Sequence, residues 1–168
     1  MKEIKIFAPA TIANVSCGFD ILGLCLDSVG DEMVIRESAE KGVKITKIEG
    51  QDLPMEAEKN VAGVAVMALL EQLKSDAGFE IEIYKKIKPG SGIGSSAASS
   101  AGAVFAVNEL LGKPFSIQQL VSFAMQGEKL ASGTTHADNV APALFGGFTM
   151  VTSYDPLNVI KIDAPNEL

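Results

Sequence analysis

The sequence predicts an α+β fold in two layers, with helices packed on one side of a sheet. Segments that alternate polar and apolar residues, as strands do, are interspersed with segments of helical spacing, without the regular βαβ rhythm of a doubly wound sheet. Hydrophobic residues make up 47% of the chain and charged residues 21%, which is typical of a protein with a buried core. The 168 residues have room for one domain, which we expect to span 1–168.

The first part of the chain is predicted to consist mainly of strands. Residues 4–8 form an apolar strand that Pro9 should end, because proline lacks the N–H that a sheet ladder uses. The segments 32–38 and 42–50 are predicted to be two further strands joined by a charged turn.

Three later segments are predicted to be helices. Residues 57–74 carry apolar side chains at helical spacing, a second helix covers about 95–111, and a third runs from Ser116 to about Leu130. Ser116 is the expected N-cap of the third helix, because its hydroxyl can accept a hydrogen bond from a free N–H of the first turn.

The remaining segments are predicted to be strands and one loop. Residues 79–87 alternate apolar and charged side chains, as a half-buried strand does. Residues 148–153 and 158–163 are the last strand candidates, and 133–147 show little periodicity and are predicted to be a loop.

Charge and composition exclude several classes of partner. The formal net charge of −7 argues against nucleic acid or an anionic membrane surface as the main partner. No apolar run approaches the length of a membrane span, and the N-terminus lacks the apolar centre of a signal peptide. Cys17 and Cys25 alone form no disulfide framework. We therefore expect a cytoplasmic protein.

The glycine- and serine-rich stretch KPGSGIGSSAASSAG, residues 88–102, has three possible interpretations. A flexible linker is disfavoured, because a strand enters the stretch and an apolar helix leaves it. A serine nucleophile needs a base, yet the pattern G-x-S-x-G is not met around Ser95 or Ser96, and His136 is the only histidine. The third interpretation is a cradle for phosphate.

The cradle hypothesis has a clear physical basis. Gly90, Gly92 and Gly94 can adopt backbone angles closed to other residues, and they place no side chain in the way of an anion. The N–H groups that open the following helix have no intrahelical partner and can bind phosphate, and the hydroxyls of Ser95 and Ser96 add donors. The stretch matches neither the Walker A motif nor the dinucleotide fingerprint. A merely structural tight turn remains the alternative.

Three stretches resemble a known family. PGSGIGSSAAS is similar to the P-x-x-x-G-L-G-S-S-A-A loop of the GHMP kinases, with Ile93 in place of leucine. APATIANVSCGFDILGLCL and HADNVAPALFGGF resemble, among these kinases, the A-x-x-A-N-x-G-x-G-F-D-x-L-G and H-x-D-N-x-x-P patterns of the homoserine kinases. Ser16 and Cys17, between Asn14 and Gly18, are a mild departure from the first pattern.

The resemblance implies phosphoryl transfer from ATP to the hydroxyl of L-homoserine, a step of threonine biosynthesis. It also implies an N-terminal domain like domain 2 of ribosomal protein S5, followed by a ferredoxin-like C-terminal domain. That second domain has no counterpart here, so we expect this chain to be a truncated and inactive fragment, with a homodimer as a possible assembly. The alternatives are another small-molecule kinase of the family, similar to mevalonate kinase, or a GHMP-type domain that only binds.

The resemblance also implies which residues bind ATP and Mg²⁺. The loop residues expected around the phosphates are Pro89, Gly90, Ser91, Gly92, Ile93, Gly94, Ser95, Ser96, Ala97, Ala98 and Ser99. Ser96 and Glu128 are the expected magnesium ligands, although Glu128 would otherwise be interpreted as a solvated residue at a helix end. Asn60 is a candidate for the adenine pocket, and a plain helix start is its alternative role.

Five residues form the implied substrate side of the site. Asn14 and Asp20 suit the amino-acid end of homoserine, because a carboxylate pairs with an ammonium group; turn formation is their alternative role. His136 either contacts substrate or is an ordinary loop histidine. Asp138 either contributes to the reaction and to substrate binding or caps a turn. Asn139 cannot act as a base, so it would orient the hydroxyl or stabilise the transferring phosphoryl group.

Overall fold

The computed structural model describes residues 1–163, and the end of the predicted domain, 164–168, lies outside the described residues. The strands are β1 (Glu3–Ala13), β2 (Leu22–Ser38), β3 (Gly42–Glu49), β4 (Gly78–Tyr84), β5 (Phe148–Tyr154) and β6 (Leu157–Ile162). The helices are α1 (Val61–Leu73), α2 (Ser95–Leu110), α3 (Ile117–Ser132) and α4 (Val140–Phe145), and a short 3₁₀ turn (Ala57–Lys59) precedes α1.

One sheet organises the described residues, and β2 is its central strand. The path of the sheet is β3-β4-β2-β5-β6, and β1 pairs with β2 along most of its length. Residues 32–38 of β2 pair with β4 and residues 22–24 pair with β5, both antiparallel. Among the described strands only β3 and β4 run parallel, and α1 connects them.

The helices lie on one face of this sheet, as the two-layer prediction requires. Alternate residues of the strands, such as Met33, Ile35, Ile81 and Ile83, are almost fully buried in the core that α1, α2 and α3 cover. The opposite face carries ion pairs between neighbouring strands, for example Arg36 with the carboxylates of Glu3 and Glu82. In the part of the chain that the structure describes, no helix has the length and apolar character of a membrane span.

One strand prediction was wrong. Pro9 does not end β1, which continues to Ala13. The described pairings leave β1 with β2 as its only neighbour, and the register shifts between Pro9 and Thr11, so the missing N–H is tolerated. The predicted strands at 32–38 and 42–50 are present and joined by a turn, and β4 lies between them in the sheet.

The helix predictions need smaller corrections. The predicted helix 57–74 is divided by Asn60, whose extended backbone separates the 3₁₀ turn from α1. The predicted loop 133–147 contains the six-residue helix α4, which is too short to show helical periodicity. The predicted cap of α3 is confirmed, since Ser116 and Gln119 form a capping box.

Candidate active site

The glycine-rich loop leads into the uncapped N-terminus of α2. Gly90, Gly92 and Gly94 have φ angles of +76°, +80° and +64°, in the left-handed region that favours glycine, as the sequence predicted. Gly94 precedes the helix, and no side chain caps its first N–H groups. A Cβ atom on Gly94 would lie 2.1 Å from the Thr11 hydroxyl oxygen. The close approach of β1 therefore also requires glycine here.

A buried ion pair fixes both ends of this loop. The side chains of Lys85 and Asp31 are 1% and 0% exposed and form a salt bridge. Lys85 Nζ also donates to the carbonyl oxygen of Ser95 at 2.9 Å and to Ser99 Oγ at 3.1 Å. Asp31 Oδ1 accepts the N–H groups of the two residues after Lys85. Burial lowers the pKa of Lys85, and the Asp31 carboxylate opposes this effect.

The larger of two adjoining clefts, about 520 Å³, lies in front of the loop. Seven of the predicted phosphate-binding residues line it, namely Pro89, Gly90, Gly92, Gly94, Ser95, Ser96 and Ser99. The other four, Ser91, Ile93, Ala97 and Ala98, are not among the lining residues. Ala97 and Ala98 are fully buried, so small side chains let α2 pack closely against its neighbours.

Two predicted ATP-site residues use their polar groups within the protein. The hydroxyl of Ser95 donates to the carbonyl oxygen of Ile87 at 3.1 Å. Asn60 does not line the cleft; its Oδ1 accepts the N–H of Ala62 and its Nδ2 donates to the carbonyl oxygen of Pro54. Asn60 is therefore the residue that starts α1, which was its alternative role. Ser96 remains the candidate hydroxyl of the loop on the side of the cleft.

Glu128, on α3, reaches the same cleft with a desolvated carboxylate. Its Oε1 is buried and has no hydrogen-bond partner within residues 1–163, so the interpretation as a solvated helix-end residue was wrong. Burial raises the pKa of Glu128, and the side chain of Ser96 acts in the opposite direction. A buried carboxylate oxygen without a partner is a group that a cation would satisfy.

These residues fit Mg²⁺ in the manner typical of nucleotide-bound magnesium. Within residues 1–163 no group of three or more His, Cys, Asp or Glu side chains could hold a metal ion. Mg²⁺ seldom needs such a group, because it usually takes one or two protein oxygens together with phosphate oxygens and water. Ser96 and Glu128 supply two such oxygens beside the loop.

The smaller cleft, about 230 Å³, adjoins the larger one and shares lining residues with it. All five predicted substrate-side residues line it, namely Asn14, Asp20, His136, Asp138 and Asn139, together with Glu128, Ser132 and Thr134. Asn14, Glu128, Ser132 and Asn139 line both clefts. The structure therefore brings residues 14–20 and 128–139 together. The residues that line both clefts form the boundary between them.

Asp20 and His136 face each other in the smaller cleft. His136 Nδ1 lies 2.7 Å from Asp20 Oδ1, and the side chain of Asn14 accepts the N–H of Asp20 at 2.9 Å. Asn14 and Asp20 have φ angles of +57° and +58°, as tight-turn residues often do. Asn14 and Asp20 therefore both form the turn and line the cleft.

Asn139 has a defined amide orientation at the boundary of the clefts. The hydroxyl of Thr11, which is fully buried, donates to Asn139 Oδ1 at 2.9 Å. The Nδ2 group is thus the end that can donate into the clefts. The neighbouring Asp138 is buried and accepts the N–H of Asn139. Burial raises the pKa of Asp138, and His136 opposes this rise.

Thr11, Lys85 and Asp31 position other residues of this site and were not predicted from the sequence. Thr11 lies inside a motif, but nothing in the sequence marks its contact with Asn139. Lys85 carried a signal, because the alternation of 79–87 places it on the same side as the buried Phe79, Ile81 and Ile83. A lysine on the buried side of a strand needs a partner, and its partner Asp31 could not be identified from local pattern.

The chain is similar to proteins of one known family, both in sequence and in fold. The model of the GHMP kinases N terminal domain matches residues 58–147. Homoserine kinase from Methanococcus vannielii is 47% identical over 96% of this chain and 54% of that protein. The crystal structure of homoserine kinase from Cytophaga hutchinsonii has a TM-score of 0.92 and 53% identity, covering 98% of this chain and 53% of that chain. Mevalonate kinase from Methanococcus jannaschii shares the fold, with a TM-score of 0.73 at 19% identity over 97% of this chain and 56% of that chain.

Two facts follow from these similarities. The two-layer α+β fold expected from the sequence is the fold of the matching kinase structures. The chain spans about half the length of the relatives that it matches.

Proposed function

This chain belongs to the GHMP kinase family, and on that premise we propose that it forms the ATP-binding part of a homoserine kinase. The reaction is transfer of the γ-phosphoryl group of ATP to the hydroxyl of L-homoserine, giving O-phospho-L-homoserine for threonine biosynthesis. The single observation that carries the proposal is the meeting of the two clefts at Asn139 and Glu128. Phosphoryl transfer needs this arrangement, because donor and acceptor must approach each other across a shared boundary.

The phosphate side of the reaction is assigned to the larger cleft. The free N–H groups at the start of α2 bind phosphate oxygens, and the helix dipole favours their negative charge. Ser96 and Glu128 would hold Mg²⁺, which when bound neutralises charge on the phosphate oxygens. The buried pair of Lys85 and Asp31 keeps the loop in the required shape by tying its two ends together.

The acceptor side is assigned to the smaller cleft. The Asp20 carboxylate pairs with the ammonium group of homoserine, and Asn14 and His136 complete the contacts to its amino-acid end. Asn139 donates from Nδ2 toward the hydroxyl or the transferring phosphoryl group. Asp138 is the candidate for accepting the hydroxyl proton, since a buried carboxylate with a raised pKa is a stronger base than an exposed one.

The matching relatives are about twice as long as this chain, which bears on how activity is assayed. We propose that a second domain completes the substrate site in the natural-length protein. The 168 residues alone should then show negligible turnover. We further propose a cytoplasmic enzyme without nucleic-acid or membrane partners, with a homodimer as a possible assembly.

The test is a substrate panel with the natural-length gene product. L-homoserine, mevalonate, galactose and L-serine are each incubated with ATP and Mg²⁺, and the phosphorylated product is identified by mass spectrometry. We expect homoserine to be preferred by kcat/KM by on the order of 100-fold or more over the other alcohols, as expected when a site pairs polar groups on its substrate. Preference for mevalonate would assign another kinase activity, and nucleotide binding without turnover would assign a binding domain; either result refutes the proposal.

A further inference from the structure

Tyr154 joins two loops that carry the substrate-side residues. It is the last residue of β5 and is not among the residues that line either cleft. Its hydroxyl donates to the carbonyl oxygen of Asp20 at 2.6 Å and accepts the N–H of Ala137 at 3.3 Å. One side-chain oxygen on the sheet thereby links the loop 14–21 to the loop 133–139.

Side-chain hydrogen bonds hold both backbone groups of Asp20. Its φ angle of +58° lies in the left-handed region, which aspartate tolerates in turns. The N–H of Asp20 is held by Asn14 Oδ1, and its carbonyl oxygen is held by Tyr154. With both backbone groups fixed, the carboxylate is directed to His136 Nδ1 at 2.7 Å.

The second contact of Tyr154 holds the partner loop. Ala137, whose N–H bonds to Tyr154 Oη, lies between His136 and Asp138 and is fully buried. A shift of this peptide would move His136 relative to Asp20 and Asp138 relative to the cleft. The rigid base is the sheet itself, since β5 pairs with both β2 and β6.

Resting on the proposed function, we propose that Tyr154 is a positioning residue for the substrate ammonium subsite. Its hydroxyl holds Asp20 and His136 at their observed separation, so that the Asp20 carboxylate is ready to pair with the ammonium group of a small amino alcohol. Tyr154 itself touches neither substrate nor nucleotide. A purely structural role is a weaker explanation, because the side chain is 43% exposed and, within residues 1–163, the hydrogen bonds of the phenol oxygen go to these two loops.

The test compares Tyr154→Phe with Tyr84→Phe. Both changes remove one hydroxyl and keep the ring; Tyr84 lies on the open face of the sheet, where its hydroxyl donates to Glu82. In the natural-length gene product, we expect Tyr154→Phe to raise KM for L-homoserine by about 3- to 10-fold, the effect of one or two lost hydrogen bonds. KM for MgATP and the thermal midpoint should stay near wild type, and Tyr84→Phe should leave all three unchanged.

Hydrogen–deuterium exchange supplies a readout that does not depend on the substrate. We expect Tyr154→Phe to speed exchange several-fold in peptides covering 14–21 and 133–139, while the peptide covering 95–110 keeps its wild-type protection. If the wild-type enzyme does not phosphorylate homoserine, the proposed function is wrong. The exchange pattern still tests the role of Tyr154 in that case. Unchanged exchange in both loops overturns the inference. So does a parallel rise in both KM values accompanied by a lower thermal midpoint, because that result would show a general structural role.

Discussion

Glu128→Gln should make the protein more stable and at the same time impair its binding of MgATP. Glu128 Oε1 is buried without a hydrogen-bond partner among the described residues, and burial raises the pKa of this carboxyl above its ordinary value of 4.5. Glutamine keeps the shape and removes the charge. The folded state then no longer contains a desolvated anion, whereas the unfolded state loses nothing comparable.

The size of the effect follows from the charge on the unsatisfied oxygen. A buried polar group without a partner destabilises a protein by roughly 1–3 kcal/mol, and by more when the group is charged. Because Glu128 is only partly buried and glutamine leaves a polar atom in the same place, we take the lower limit of about 1 kcal/mol for removal of the charge. With a urea dependence of about 2 kcal/mol per molar, the unfolding midpoint should rise by about 0.5 M at pH 7.5.

The sign of the pH dependence is set by the raised pKa. A carboxyl whose folded-state pKa lies above its unfolded value contributes stability below the unfolded value and loses that contribution as pH rises through the folded pKa. Wild type and Glu128→Gln should therefore unfold at the same urea concentration near pH 4. The advantage of Glu128→Gln should appear as pH rises through the folded-state pKa of Glu128.

The assay combines urea unfolding at several pH values with calorimetric titration of ATP in the presence of Mg²⁺. Glu71→Gln is the matched control, because Glu71 is an exposed glutamate on α1; its stability should change by less than about 0.5 kcal/mol. Affinity for MgATP should fall on the order of 10-fold or more in Glu128→Gln and remain unchanged in Glu71→Gln. Glu128→Gln with lower stability at pH 7.5 and normal MgATP affinity would refute the reasoning.

Three further predictions concern the loop and the boundary of the clefts. Ser96→Ala should weaken MgATP binding more than Lys86→Ala or Lys88→Ala does, because backbone N–H groups and the metal site hold the phosphates; the opposite order in calorimetric titration would contradict this. In the natural-length protein, Asn139→Ala should lower kcat on the order of 100-fold with KM for homoserine nearly unchanged, and Asn139→Asp should be no more active than wild type; an increase in KM at constant kcat would make Asn139 a binding residue. Thr11→Val removes the hydroxyl that orients the Asn139 amide, so kcat in steady-state kinetics should fall by about 3- to 10-fold. A kcat equal to that of wild type would exclude this role of Thr11.

Local sequence patterns predicted much of the fold. The spacing of apolar residues located α1, α2 and α3, and Ser116 correctly marked the start of α3. The strand order was beyond reach, because a pattern shows that a segment forms a strand and not which strand lies beside it. The position of β4 between the strands at 32–38 and 42–50, for example, is visible only in the structure.

The sequence alone determined which residues could carry the chemistry. The loop of 88–102 needed glycine at positions with positive φ, and that requirement is local, so a single stretch of sequence reveals it. The family resemblance then named the substrate-side residues, and all five lie in one cleft. Without that resemblance these residues would be interpreted as ordinary turn and loop residues.

Only the tertiary structure decided how those residues are held. The bonds from Thr11 to Asn139 and from Tyr154 to Asp20 join residues 128 and 134 positions apart, and the partner of Lys85 lies on another strand. The desolvation of Glu128 likewise arises from how α3 packs beside the loop. Distance and burial between remote segments are products of the sheet order and helix packing, so no local pattern of residue types can encode them.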